Sequence, residues 1–229
     1  MIYLCPDIYS FELQEALDSV SPERREKALR YRQERDQRLS LAAYRLLQDA
    51  LNSEYGIKGV KPEFIYNDKG KPLLKDHPDI HFSLSHCHDA AALAIDDRPV
   101  GIDIENYDQY SEEVARTVMN DEEMRDILSA PRPAVAFTRL WTMKESLFKL
   151  TGADHGGDIA HMLEDTSAYE FSTFDYPDYL LTTCQHKLTK GATMVKKVIE
   201  TIKKCRLCDF SGQKFADYVI FSLSLLPIM

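Results

Sequence analysis

Three short runs, His81 to Ser85, Ala90 to Ile95 and Val100 to Glu105, follow one another almost end to end in the middle of the chain. Each has the length and residue choice of a strand, so this region is expected to form neighbouring strands. Asp96-Asp97-Arg98-Pro99 reads as a hairpin turn joining the last two. Helical patterns lie on both sides. Ser21-Pro22 reads as a helix start, with serine as N-cap and proline at the first helical position. Leu39, Ala42, Ala43, Leu46, Leu47, Ala50 and Leu51 recur at helical spacing, and Gly56 closes that helix. Phe64 to Tyr66 reads as a strand, followed by a turn and loop from Asn67 to Pro72. Further helices are expected around Ser111–Met119, Asp121–Ser129 and Ala134–Leu150, the last stopped by Gly152. Residues 168–174 and 178–184 look like strands again. Helices, antiparallel strands, helices and strands in that order predict an α+β fold of two similar α/β halves. The expected division is 1–104, 105–184 and a C-terminal extension, 185–229. A basic amphipathic helix pattern runs to Cys208 in that extension, and Tyr218 to Leu226 is strand-like.

At 229 residues the chain can bury a sizeable core as one large domain or two small ones. Its net charge of −9 disfavours nonspecific binding to nucleic acid. No apolar run is long enough to span a bilayer, so no membrane role is expected. The N-terminus, MIYLCPDIYSFE, lacks the basic region of a secretory signal, which points to a cytoplasmic protein. The cysteines (5, 87, 184, 205 and 208) are odd in number and scattered, which argues against a disulfide framework. Cys205 and Cys208 form a CxxC pair with no second pair and no following histidine, so a zinc site within the chain is incomplete. One basic arm interrupts the acidic chain: Arg24, Arg25, Lys27, Arg30, Arg32, Arg35 and Arg38. By itself it fits either a solvated helix face or a local anion site.

The segment Val100 to Glu105, VGIDIE, sets two acids into an apolar strand. Alternate residues of a strand share a face, so Ile102 and Ile104 point into a core while Asp103 and Glu105 point together the other way. Two adjacent carboxylates repel unless they are wet or a cation sits between them. A hard divalent ion such as Mg2+ suits such a pair, and so does a strand end in solvent.

Leu140 to Gly152, LWTMKESLFKLTG, is the second informative segment. On a helix Glu145 and Lys149 share a face, with Trp141 a turn earlier. The pair reads as an exposed helix ion pair, or as a third metal carboxylate beside a lysine that neutralises phosphate. The third segment is HFSLSHC, in which Ser83 and Ser85 share a face and His86 ends the strand. No GxSxG elbow supports a hydrolase, and Ser85 and His86 read better as donors to a phosphate.

A basic helix, a Gly-Lys-Pro turn, a strand ending in Ser-His, GIDIE and then WTMKES with a lysine four residues after its glutamate: the chain resembles the 4′-phosphopantetheinyl transferases. It is most similar to their larger, monomeric, surfactin-synthetase-activating class. The resemblance runs from about Ser21 to Leu150 and extends to about Cys184. It implies two α/β halves in a pseudo-two-fold arrangement with the site between them. It implies transfer of the 4′-phosphopantetheine group from coenzyme A to a serine of an acyl or peptidyl carrier protein, with release of 3′,5′-ADP. By resemblance, Asp103, Glu105 and Glu145 hold Mg2+, and Glu145 or a metal-bound water takes the serine proton. Lys149 lies near the leaving phosphate. Ser85 and His86 match phosphate contacts, Lys71 a nucleotide-side lysine, and Arg24, Lys27 and Arg38 a cluster on the 3′-phosphate. Glu122, or Glu123 beside it, matches a further acid of the family. The alternatives are a catalytically impaired protein that binds coenzyme A or a carrier, and another metal-dependent phosphoester enzyme.

Overall fold

A computed structural model of the chain describes residues 1–152 and 158–188 and the backbone of residues 206–207. The first half opens with β1 (Ile2–Cys5), α1 (Leu13–Ser19), α2 (Pro22–Leu29) and α3 (Glu34–Tyr55). It continues with β2 (Phe64–Tyr66), β3 (Pro72–Leu74), β4 (His81–His86) and β5 (Ala91–Asp96). The second half holds β6 (Val100–Asn106), α4 (Glu112–Val118), α5 (Asp121–Ser129), α6 (Pro133–Thr151), β7 (Tyr169–Asp175) and β8 (Tyr179–His186). A two-residue strand, β9 (Arg206–Leu207), follows.

Local chemistry explains most of the boundaries. The Ser21 hydroxyl accepts the Arg24 N–H at 3.2 Å, and Pro22 opens α2. Gly56 ends α3 at φ 68°, in the left-handed region that only glycine enters without strain. Asn67 Oδ1 accepts the N–H groups of Lys69 (3.1 Å) and Lys71 (2.8 Å) and so folds the β2–β3 turn. Asn120 and Glu123 cap α5 reciprocally. α1 was not expected: it is seven residues long and its N-cap makes no side-chain hydrogen bond. It persists because Ala16 and Leu17 are buried.

The first sheet has the order β4-β5-β1-β9, antiparallel except that β9 runs parallel to β1. The basic helix pattern expected up to Cys208 thus gives way to strand at residues 206–207. The rest of that pattern, Cys205 and Cys208, and the strand-like run from Tyr218 lie outside the described residues. The second sheet has the order β6-β8-β7, antiparallel throughout. Each half therefore sets one long helix against a small sheet: α3 on β5, β1 and β4, and α6 on β6 and β8. The α1–α3 layer buries Tyr3, Leu93, Ile95 and Phe82 on one face of the first sheet. On the other face Ile2, Leu4, Ala92 and Ala94 meet Val100, Ile102 and Ile104 of β6.

The turn at residues 96–99 does not make the expected hairpin. β6 leaves β5 and pairs along its whole length with β8, Asp103 opposite Thr182. The same turn residues serve a crossover between sheets as well as a hairpin. The two sheets meet at their edge strands, β4 and β6. There the Ser83 and Ser85 hydroxyls accept the Ile102 and Ile104 N–H groups at 3.2 and 3.3 Å. Side chains thus satisfy edge N–H groups that no strand covers. Among the described residues no helix is long and apolar enough to cross a membrane.

Candidate active site

The seam between β4 and β6 brings three acids together beneath α6. Asp103 is 2% exposed, and Glu105 and Glu145 are half-buried beside it. Lys149 Nζ donates to Asp103 Oδ1 at 2.6 Å and to Ser85 Oγ at 2.9 Å. The Ser85 hydroxyl in turn donates to Asp103 Oδ1 at 2.8 Å. With the Ile104 N–H also bonded, the single proton and both lone pairs of Ser85 Oγ are used. Asp103 Oδ2 is buried and has no hydrogen-bond partner.

Proximity shifts these groups. Desolvation, then the Asp103 charge, pushes Glu105 up to about 7, while Lys149 and the nearby Trp141 indole oppose the rise. Desolvation and Asp103 also raise Glu145. Desolvation and the nearby Lys149 charge hold His86 below the usual histidine range. The cluster is short of positive charge, with one lysine facing three carboxylates. Its donors are all oxygens, the set that suits Mg2+. The orphaned Asp103 oxygen fits such an ion too. As the side chains stand, however, no group of three or more His, Cys, Asp or Glu closes into an ion cage among the described residues.

The other expected residues divide. Arg24 and Lys27 line a pocket of about 300 Å³ with Ser21, Tyr44, Phe64 and Tyr66. The Arg24 guanidinium lies 5.0 Å over the Tyr44 ring and 5.5 Å over the Phe64 ring. Desolvation lowers the pKa of both cations, and for Lys27 the Arg24 charge adds to it. Arg38 turns elsewhere: it donates to the carbonyls of Phe11 (2.6 Å) and Ile8 (3.3 Å) and pairs with Glu34 at 2.7 Å. Lys71 Nζ donates to the carbonyls of Lys149 (2.7 Å) and Val100 (3.3 Å), tying the end of α6 to the start of β6. Glu122 is exposed on the first turn of α5 and shares no hydrogen bond or ion pair with the three acids. Its neighbour Glu123 is buried against Lys144 at 2.7 Å.

Two contributors were not given a role from the sequence. Ser83 serves the seam, and its shared face with Ser85 was the available signal. Trp141 was placed on the right helix, but its nearness to Glu105 depends on how α6 is rotated against β6. A further recess of about 520 Å³ is lined by Asp7, Asp89, Asp108 and Asp178 among others, a setting hostile to a polyanion.

Comparison with known proteins identifies the family. Residues 99–195 match the family described as 4′-phosphopantetheinyl transferase superfamily, and residues 9–98 match 4′-phosphopantetheinyl transferase, N-terminal. The chain is 32% identical over 170 residues to 4′-phosphopantetheinyl transferase psf-1 of Bacillus pumilus, covering 73% of each. It is 31% identical over 153 residues to 4′-phosphopantetheinyl transferase Sfp of Bacillus subtilis, covering 66% of this chain and 68% of that one. A more distant relative is HetI of Nostoc, 29% identical over 149 residues, or 62% of this chain and 63% of that one. With the acids of GIDIE and WTMKES gathered at one seam, the chain belongs to the 4′-phosphopantetheinyl transferases, in their Sfp-like group.

Proposed function

We propose that the chain transfers the 4′-phosphopantetheine group of coenzyme A to a serine of an acyl or peptidyl carrier protein, releasing 3′,5′-ADP. In this reading the half before β6 binds the nucleotide side, and the half from β6 onward carries the acids and faces the carrier, so the boundary expected at 104 falls instead in the turn before Val100. The observation that carries the reading is Asp103 Oδ2, a buried carboxylate oxygen without a partner, set between two acids whose charge it disfavours. Lys149 meets the Asp103 charge on Oδ1, but a second buried oxygen without a partner, beside two further carboxylates, leaves this site favouring an added cation. Asp103, Glu105 and Glu145 would hold Mg2+, which when bound would neutralise the diphosphate and polarise the phosphorus under attack.

The chain's own residues supply the rest. Arg24 and Lys27 present positive charge to a nucleotide phosphate in the aromatic-lined pocket. His86, whose charged form desolvation and Lys149 disfavour, can donate a ring N–H to a phosphate oxygen. Lys149 carries an ammonium suited to the charge that develops on the leaving phosphate. Glu145 carries the carboxylate, beside the expected ion, that would accept the proton of the attacking serine. Positioning and electrostatics dominate phosphoryl transfer, and these groups provide both.

The test is a mass-shift assay. The chain is incubated with coenzyme A, Mg2+ and an apo carrier, with and without EDTA. The carrier should gain one phosphopantetheinyl group only when the divalent ion is present. Absence of any gain across fatty-acid, polyketide and peptide carriers would overturn the proposal.

A further inference from the structure

Lys149 makes contacts that a lysine reserved for a substrate phosphate would not need. Its ammonium is 2.6 Å from Asp103 Oδ1, and Ser85 Oγ is its second anchor at 2.9 Å. Asp103 Oδ1 already accepts both Lys149 and Ser85, which leaves Oδ2 as the unpartnered oxygen of that carboxylate. Ser85 Oγ gives its single proton to Asp103, so it cannot donate to a phosphate until that bond is broken. Resting on the reading above, we infer that Lys149 is a resident counterion: it occupies the carboxylate cluster in place of the divalent ion until the nucleotide arrives.

The physical argument is a competition. A lysine and a divalent cation on one carboxylate repel each other. An ion arriving alone on Oδ2 meets the ammonium held on Oδ1 of the same carboxylate, with no phosphate for the ammonium to swing to. An ion arriving with a diphosphate offers one. Lys149 sits in the last turn of α6 with its side chain 27% exposed, and its flexible stem lets the charge swing between partners. Ion and coenzyme A binding are then coupled, and the coupling is reciprocal.

The test measures Mn2+ uptake by the full chain from the electron paramagnetic resonance signal of unbound Mn2+, with and without coenzyme A. Wild type should bind Mn2+ weakly alone and more tightly with coenzyme A. Lys149→Met should bind Mn2+ alone at least about tenfold more tightly than wild type, since a like charge is gone from the site. Without ion it should melt at a lower temperature than wild type, and Mn2+ should raise that temperature by more. Ser85→Ala keeps the lysine's charge but removes one of its two anchors, and should also tighten Mn2+ binding severalfold. Should Lys149→Met fail to fold, Ser85→Ala carries the test by itself. If wild type takes up Mn2+ with coenzyme A while neither variant binds it more tightly alone, the counterion role is overturned and the transferase reading stands. If Lys149→Met tightens binding but Ser85→Ala does not, bulk charge explains the effect and the anchored lysine is rejected. If wild type takes up no Mn2+ even with coenzyme A, both readings fall.

Discussion

A Cβ on Gly101 would stand 1.9 Å from the Ser146 carbonyl oxygen and 2.8 Å from the Leu150 amide nitrogen. β6 and α6 therefore touch backbone to backbone, with Asp103 two residues beyond the contact and Glu145 one residue before it. Gly101→Ala must push strand and helix apart. A loss of about 1–3 kcal/mol is expected, the usual range for overpacking. A lower urea midpoint should come with a larger proportional loss of transfer, because the same displacement separates the acids. An unchanged midpoint would mean that the contact is slack.

Asp103→Asn tests the acid cluster without a cavity. The amide oxygen can still accept from Lys149 and Ser85, but an N–H group replaces an oxygen, so the ligand is lost. Transfer should fall on the order of 10²–10³-fold, as for removal of one preorganised contact at a charged transition state. The ion-free protein should melt at or above the wild-type temperature, because one of three crowded charges is gone. A variant that retained full transfer would remove Asp103 from the ion site.

Much of this was legible because it rests on local rules. Parity along VGIDIE placed Asp103 and Glu105 on one face, and Gly56 and Gly152 end their helices where glycine was expected. Strand pairing was not legible: β6 pairs with β8, more than seventy residues on, and nothing local to residues 96–99 separates a hairpin from a crossover. Within the basic arm, charge alone could not distinguish Arg24, which lines a pocket, from Arg38, which holds the carbonyls of Ile8 and Phe11. The Lys149–Ser85–Asp103 contacts needed both the rotation of α6 and the seam between sheets, which no single segment encodes.

Glu105 gives a stability slope of defined sign. Its proton is released near 4.5 in the unfolded chain and at about 7 in the folded one. Between those values the folded protein holds a proton that the unfolded chain has lost, so stability falls as pH rises through the interval. The contribution is full below about 4.5 and gone above about 7. In EDTA, wild type should therefore lose more stability than Glu105→Gln on going from pH 5 to pH 8. Because an ion favours the carboxylate, Mg2+ should shrink that difference. Parallel curves in EDTA would show that Glu105 is not desolvated.

Lys144 is completely buried, and its three N–H donors are shared among four acceptors: Glu123 Oε2 (2.7 Å) and the carbonyls of Val118 (3.0 Å), Ile159 (2.9 Å) and Ala160 (2.8 Å). It gathers the α4–α5 corner and the turn after α6 around the residue next to Glu145. Lys144→Met leaves a buried carboxylate and three carbonyls without their donor. The expected cost is about 3–5 kcal/mol, the range for a buried pair with one partner removed. Chemical denaturation measures it. A double variant, Lys144→Met with Glu123→Gln, should recover part of the loss because the lone charge is removed.

The basic arm separates binding from scaffolding. Arg24 and Lys27 face the 300 Å³ pocket, so Arg24→Ala and Lys27→Ala should each raise the KM for coenzyme A about tenfold with little change in kcat. That pattern marks a contact made equally in the ground and transition states. Arg38 instead closes the segment before α1, through its bonds to Ile8 and Phe11 and its stacking 5.3 Å over Tyr9. Arg38→Ala should lower the melting temperature and leave the KM for coenzyme A near wild type. The reverse outcome, a raised KM at unchanged stability, would mean that Arg38 leaves the Ile8 and Phe11 carbonyls to bind the nucleotide, and that all three cations act as one anion site.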